Sequence, residues 1–220
     1  AEVAELDGYQ KIIDGAKQVV ENWKPTIKID PKWKKFALGE ICSIQSGGTP
    51  SKSVKNYYEN GTISWLRSEA CKDRVVDKSK EFITKEGLKN SAAKLLKPKS
   101  TLIALVGATI GKTAFTTFET ATNQNIAALF PLNEKQLLPE FLFYSIQTLY
   151  PEFIKLGDGS FKMANLSFVK SLKISLPSLE SQKKIVEKIE EEQKIVEANK
   201  ELIKIFEQKI KDKISNLWGK

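Results

Sequence analysis

SLESQKKIVEKIEEEQKIVEANKELIKIFEQKIKDKISNLWG, the stretch from Ser178 to Gly219, contains no proline, and no glycine before Gly219. Along it Ile185, Ile189, Glu192, Val196, Asn199, Ile203, Phe206, Ile210, Lys213 and Leu217 recur at alternating steps of four and three, the spacing of a coiled-coil seam. The pattern is too long for an ordinary globular helix, and a rise of about 1.5 Å per residue predicts a helix of roughly 60 Å. Such a helix serves spacing and assembly, which makes its seam the candidate dimerisation surface. Glu192, Asn199 and Lys213 occupy seam positions where a two-stranded zipper prefers aliphatic side chains, and an asparagine there fixes register at a cost in stability. Ile195, Leu202 and Ile205 form a second stripe beside the first. The apolar face is therefore wider than one partner helix covers.

A candidate partner lies at the other end of the chain. Leu6, Tyr9, Ile13, Ala16, Val20 and Trp23 repeat the three-and-four spacing, so residues 1–24 are expected to form a helix that packs on the long one. It stops ahead of Pro25, which disfavours helical geometry at Lys24. Between the two helices, residues 31–177 are expected to form a mixed α/β domain of the α+β kind. Short β-rich runs occur at Ile63 to Leu66, Thr101 to Val106, Lys112 to Thr117 and Asn125 to Phe130, and a helix is expected over Pro139 to Ile154. Gly47-Gly48-Thr49-Pro50, Asn60-Gly61 and Gly157-Asp158-Gly159 carry turn signals. Ser178 suits the N-cap of the long helix, which occupies residues 178–219.

Charge divides unevenly along the 220 residues, whose net charge is +8. Residues 1–30 carry four basic and six acidic side chains and residues 178–220 carry ten and nine, whereas Lys32 through Lys112 carry sixteen and seven. Such a local excess is the footprint of a face that binds a polyanion, although a lysine-rich surface also arises from composition alone. The chain has no histidine, which counts against triad hydrolysis, histidine-dependent metal catalysis and imidazole proton shuttling. Cys42 and Cys71 form neither a metal-ligand spacing nor a disulfide framework. No run approaches a membrane span, no signal peptide is recognisable at the start, and a reducing cytoplasm is the expected compartment.

Gly107-Ala108-Thr109-Ile110-Gly111-Lys112-Thr113 follows an apolar run and invites comparison with a phosphate-binding loop. Only three residues separate its glycines, where the loop that wraps phosphates needs four, so a β-turn between two strands with Lys112 exposed is the better reading. Asn123-Gln124-Asn125 could read adenine edges, but the apolar run behind it favours amides that satisfy backbone groups. Tyr57, Tyr58 and Trp65 lie among Lys52, Lys55, Arg67, Lys72 and Arg74, an arrangement in which aromatics stack on bases or sugars. Core packing is the default for Trp65, with Tyr57 and Tyr58 more open. The segment Gly159 to Leu166 either presents Lys162 or forms a plain surface connection. Glu69, Asp73 and Asp77 alternate with cations, which suits salt bridging or solvation rather than nuclease chemistry. Neither an Asn/Asp-Pro-Pro-Tyr/Phe loop nor a cofactor-binding glycine-rich turn is present.

Taken in order, Trp33-Lys34-Lys35-Phe36-Ala37-Leu38-Gly39-Glu40, Gly47 to Pro50, Ile63-Ser64-Trp65-Leu66-Arg67, Val106 to Lys112, Asn123 to Ala128 and Ile174-Ser175-Leu176-Pro177-Ser178-Leu179-Glu180-Ser181-Gln182 resemble one half of a specificity subunit of type I restriction-modification systems. Gly8 to Ala16 resembles the helical tail that precedes such a recognition domain. Family members usually carry two recognition domains and two long helices, so this chain looks like a half-subunit or an excised half. The resemblance implies recognition of one part of a bipartite site in double-stranded DNA, no catalysis, no cofactor or metal of its own, and partnership with methylation and restriction subunits. Charge and loop placement, rather than the family, nominate Lys52, Lys55, Tyr57, Arg67, Lys72, Arg74, Lys112 and Lys162 as DNA contacts, with Arg67 or Arg74 also able to read guanine. The long helix is expected to make a homodimer. A coiled-coil interaction scaffold with a basic domain for an acidic partner is the alternative, and a degenerate nucleotide-binding domain comes third.

Overall fold

The computed structural model describes residues 2–156 and 163–218. Lys162, the expected turn at 157–159 and Gly219 lie outside the described residues, as does the side chain of Leu217. In chain order the elements are α1 (Glu2–Asn22), β1 (Lys34–Ala37), α2 (Leu38–Ile41), β2 (Cys42–Ser46), β3 (Ile63–Leu66), β4 (Arg74–Val76), β5 (Glu81–Ile83), α3 (Lys85–Lys89), β6 (Thr101–Ala104), β7 (Thr113–Thr116), β8 (Ala121–Thr122), β9 (Ile126–Pro131), α4 (Pro139–Gln147), α5 (Tyr150–Ile154), α6 (Leu166–Ser171), β10 (Lys173–Leu176) and α7 (Leu179–Trp218). Two compact units result, residues 27–186 and the pair of segments 1–26 and 187–220.

The globular unit is built on a five-stranded sheet in the order β2-β9-β6-β7-β4 and a three-stranded sheet in the order β5-β3-β8, with β1 and β10 paired separately. Within the large sheet only the β4–β7 pairing is parallel, with Arg74 opposite Ala114. Strand alternation then sorts the side chains. Leu102, Ala104, Ala114, Ile126 and Ala128 turn to one face and form a core with Leu66, Cys71, Val76 and Leu96. On β7 the neighbouring Phe115 meets Phe143 of α4, with ring centroids 5.3 Å apart. Trp65, Ile83, Ala93 and Ala121 make a second cluster around the small sheet. At Gly47 a Cβ would lie 1.9 Å from the Thr122 carbonyl oxygen, so the chain can pass β8 there only as glycine.

The helix expected over Pro139 to Ile154 is two helices, α4 and α5. Pro151 has no N–H to donate to Gln147 and its ring crowds that carbonyl, so the chain breaks at Thr148-Leu149, where Leu149 leaves helical geometry with φ −88° and ψ 0°. At the start of α7, Ser178 caps as its position suggested: the Ser181 N–H donates to Ser178 Oγ at 3.3 Å. The next polar side chain does more. Gln182 is fully buried; its Oε1 accepts from Leu138 N at 2.9 Å, and its Nε2 donates to the carbonyls of Gln136 at 2.8 Å and Pro177 at 3.0 Å. One amide thereby fastens the first turn of α7 to the loop that leads into α4.

The second unit pairs α1 antiparallel with the C-terminal part of α7. The Tyr9 and Phe206 rings meet at a tilt of 54° with centroids 5.2 Å apart, and Ile13, Ala16, Ile189 and Val196 are buried. The polar seam positions have local partners. Glu192 Oε2 accepts from the Trp23 indole at 3.0 Å, and the Lys213 ammonium donates to Glu5. Asn199 donates to the Ile195 carbonyl of its own helix at 2.9 Å, so within this pair the register is set by Glu192 and Lys213. Ile203, Phe206 and Ile210 are half-buried, and Ile185 is so within the globular unit. Ile195, Leu202 and Ile205 remain exposed at 59%, 36% and 52%.

Candidate nucleic-acid interface

Three of the nominated cations converge. Arg67 follows the last residue of β3, and Lys72 and Arg74 bracket the turn into β4; all three line a surface cleft of about 510 Å³ together with Lys78 and Lys80. The cleft floor is apolar, formed by Trp65, Leu66, Ala70 and Val76, and its two carboxylates are Glu69 and Glu81. Five cations against two anions around a concave surface make a positive potential that attracts phosphate. The Arg67 guanidinium lies 3.8 Å from Glu69 and 3.5 Å from Glu81. These contacts are exposed and weak, worth about 0–1 kcal/mol each, so Arg67 is free to exchange them for a ligand.

Lys78 and Lys80 had no distinguishing signal in a lysine-rich stretch. Their placement comes from the residue between them. Ser79 Oγ lies 3.0 Å from the Trp65 carbonyl and 2.7 Å from the Glu81 carbonyl, hydrogen-bond contacts that hook the segment onto β3. Alternation along an extended chain then turns both neighbours outward, and both are exposed.

Lys55 and Tyr57 sit elsewhere in the globular unit. They belong to a short 3-10 turn that packs on α3, where the Thr84 hydroxyl donates to the Asn56 carbonyl at 2.8 Å and the Thr84 N–H to the Tyr57 carbonyl at 2.9 Å. Lys52 and Lys55 are exposed, and Tyr57 is half-buried. Tyr58 is less open than its neighbours suggested, because its hydroxyl donates to the Pro50 carbonyl and its ring meets Trp65 edge-on at 6.3 Å. Burial and, after it, the Glu81 charge raise its pKa. Trp65 is a core residue whose indole donates to the Gly48 carbonyl at 3.0 Å.

Lys112 departs from the exposed cation expected of it. Its ammonium is half-buried and lies 2.7 Å from Asp73 Oδ2 and 4.3 Å from the Tyr150 ring centroid. The glycine-rich segment before it joins β6 to its antiparallel neighbour β7, with Gly111 at φ +75°. A phosphate-binding loop instead runs from a strand into a helix whose first N–H groups face the ligand, and here a strand follows. Asn123 is buried and its Oδ1 accepts from Asn125 N at 3.2 Å, the backbone role its surroundings favoured. Gln124 is exposed and accepts from the Thr49 hydroxyl at 2.7 Å.

Both cysteine thiols are pushed up to about 12 by burial, which removes them as nucleophiles near neutral pH. Among the described residues no group of three or more Cys, Asp or Glu side chains is placed to hold a metal ion, and no helix is long and apolar enough to cross a membrane.

Residues 31–216 match the model of the type I restriction modification DNA specificity domain. Similar proteins include the specificity subunit of the type I restriction enzyme EcoR124I/EcoR124II of Escherichia coli, 28% identical over 162 residues that make up 71% of this chain and 39% of that one. The MjaIX specificity subunit of Methanocaldococcus jannaschii is 27% identical over 164 residues, 72% of this chain and 37% of that one. Among solved structures, the HsdS subunit from Thermoanaerobacter tengcongensis superposes with a TM-score of 0.60 at 24% identity, covering 96% of this chain and 52% of that chain. A chain from a study of complex assembly and conformational transition of the type I R-M system gives 0.65 at 23% identity, covering 96% and 50%. The likeness to these structures is one of fold. The chain spans about half the length of the solved chains, and less of the curated relatives.

Proposed function

We propose, because the chain belongs to the type I restriction modification DNA specificity domain family, that its globular unit reads one part of a bipartite site in duplex DNA and that α7 pairs it with a second recognition unit. The observation that carries this reading is the cleft in which Arg67, Lys72, Arg74, Lys78 and Lys80 meet over an apolar floor. Phosphate contacts by the lysines position the duplex, and an arginine reaching a base edge supplies sequence choice. Lys52, together with Lys55 and Tyr57 of the turn against α3, extends the contact surface, and Lys162 belongs to the same proposal. The exposed stripe of Ile195, Leu202 and Ile205 supports association through the long helix with a second copy. Methylation and restriction subunits then supply the chemistry in the cytoplasm, and the chain alone neither methylates nor cleaves.

Binding-site selection on random duplex, with the purified chain and a methylation subunit, tests this. Two identical heads related by a two-fold axis read identical half-sites in opposite orientation, so the expected product is an interrupted palindrome. No enrichment over the input library would overturn DNA recognition. Two unrelated halves would overturn the homodimer and leave pairing with a different recognition domain. Methylation by the chain alone would remove the non-catalytic assignment.

A further inference from the structure

The turn at Asp73 controls two of the five cleft cations, and its geometry is unusual for a side-chain-bearing residue. Asp73 has φ +53°, the left-handed region that asparagine and aspartate tolerate better than other L-residues. Its backbone is fastened to β7, its N–H donating to the Thr113 carbonyl at 2.7 Å. Its carboxylate is also saturated from that side. Oδ1 accepts from the Thr113 N–H at 2.9 Å and the Thr113 hydroxyl at 3.1 Å, while Oδ2 accepts from the Lys112 ammonium at 2.7 Å. The Tyr150 ring closes the far side of that ammonium. The residues on either side of Asp73 are Lys72 and Arg74, both exposed and both lining the cleft.

We propose that Asp73 is a positioning residue for DNA recognition: bonded to Lys112 and Thr113, it fixes the turn from which Lys72 and Arg74 enter the cleft, and Lys112 acts as its counterion rather than as a phosphate contact. The inference rests on the reading of the cleft as a DNA interface. Its electrostatic content is that the Lys112 ammonium cancels a carboxylate that would otherwise stand between two phosphate-binding cations. An uncompensated Asp73 repels the phosphates that Lys72 and Arg74 attract; a neutral side chain of the same shape does not. Asparagine keeps the left-handed backbone and can still accept from Thr113.

The test measures affinity for duplex DNA against salt for the full chain and three variants, with thermal midpoints confirming that each folds. Lys112→Gln is expected to weaken binding roughly threefold to tenfold at low salt through the exposed carboxylate. Adding Asp73→Asn to it should restore affinity to within about twofold of wild type and leave the slope of log affinity against log salt unchanged, because no phosphate contact has been lost. Lys72→Gln, a direct contact, should lower that slope by about 0.9. A double variant whose slope falls by the same amount as that of Lys72→Gln would make Lys112 a phosphate contact and overturn the assignment. A Lys112→Gln variant that binds as wild type does would overturn it as well. Absence of salt-dependent binding by the wild-type chain would instead bring down the underlying DNA reading, so the two failures are separable.

Discussion

Replacing Lys78 and Lys80 by glutamine probes the cleft through the two cations that charge patterning alone could not single out. Four of the cleft cations, Lys72, Arg74, Lys78 and Lys80, are exposed without an acidic partner in the cleft, whereas Arg67 lies between Glu69 and Glu81. If each of the four neutralises one phosphate, the cleft contributes about 3.6 to the slope of log affinity against log salt, at about 0.9 per contact. Raising salt from about 50 to about 200 mM then weakens binding by a cleft contribution of about 150-fold. The double substitution should remove about 1.8 from the slope and leave a contribution of about 12-fold over the same interval. Fluorescence anisotropy on a duplex long enough for one head only, titrated at four or five salt concentrations, measures the slope directly. The control removes the same charge elsewhere: Lys183→Gln with Lys194→Gln, both exposed on α7, should leave the slope unchanged. A slope that falls equally in both double variants would mean that net charge, not the cleft, drives binding. An unchanged slope in the Lys78 and Lys80 variant would place the duplex on another face.

Gln182→Leu should destabilise the globular unit by about 3–5 kcal/mol, since it strands one buried N–H and two carbonyls at about 1–3 kcal/mol each, offset in part by the added apolar contact; urea denaturation checks this, and a loss under about 1 kcal/mol would show that water replaces the amide. Ile205→Glu in the exposed stripe of α7 should convert a dimer into a 24.7 kDa monomer by light scattering, while a wild-type chain already monomeric at micromolar concentration would refute association through that face. Stability should decline as pH rises above about 9: the thiols of Cys42 and Cys71 have a folded pKa raised from 9.0 to about 12, so the unfolded state releases their protons first. The loss is about 1.4 kcal/mol per pH unit for each thiol between those values, and Cys42→Ala should flatten the pH dependence of the urea midpoint by one thiol's share.

How much of this was legible in the sequence depends on the range over which each decision is made. The long helix declared itself because its seam repeats over forty residues and no proline interrupts it. The β-rich runs at Ile63, Thr101, Lys112 and Asn125 became β3, β6, β7 and β9, close to their expected limits. By contrast β4 and β5 are three residues each, lie in a lysine-rich segment, and exist because β7 and β3 pair with them from a distance. No local pattern encodes such a pairing. The same contrast divides the cleft. Charge placement nominated Arg67, Lys72 and Arg74, and the fold brings these three to one cleft. It placed Lys112 as an exposed cation and missed its pairing, because its partner Asp73 is 39 residues away in sequence and meets it through the parallel β4–β7 pairing. A sequence therefore counts the cations a domain carries, but only the strand order reveals which of them are already matched. For a surface that reads a polyanion, that subtraction decides which lysines bind and which hold the binding turn in place.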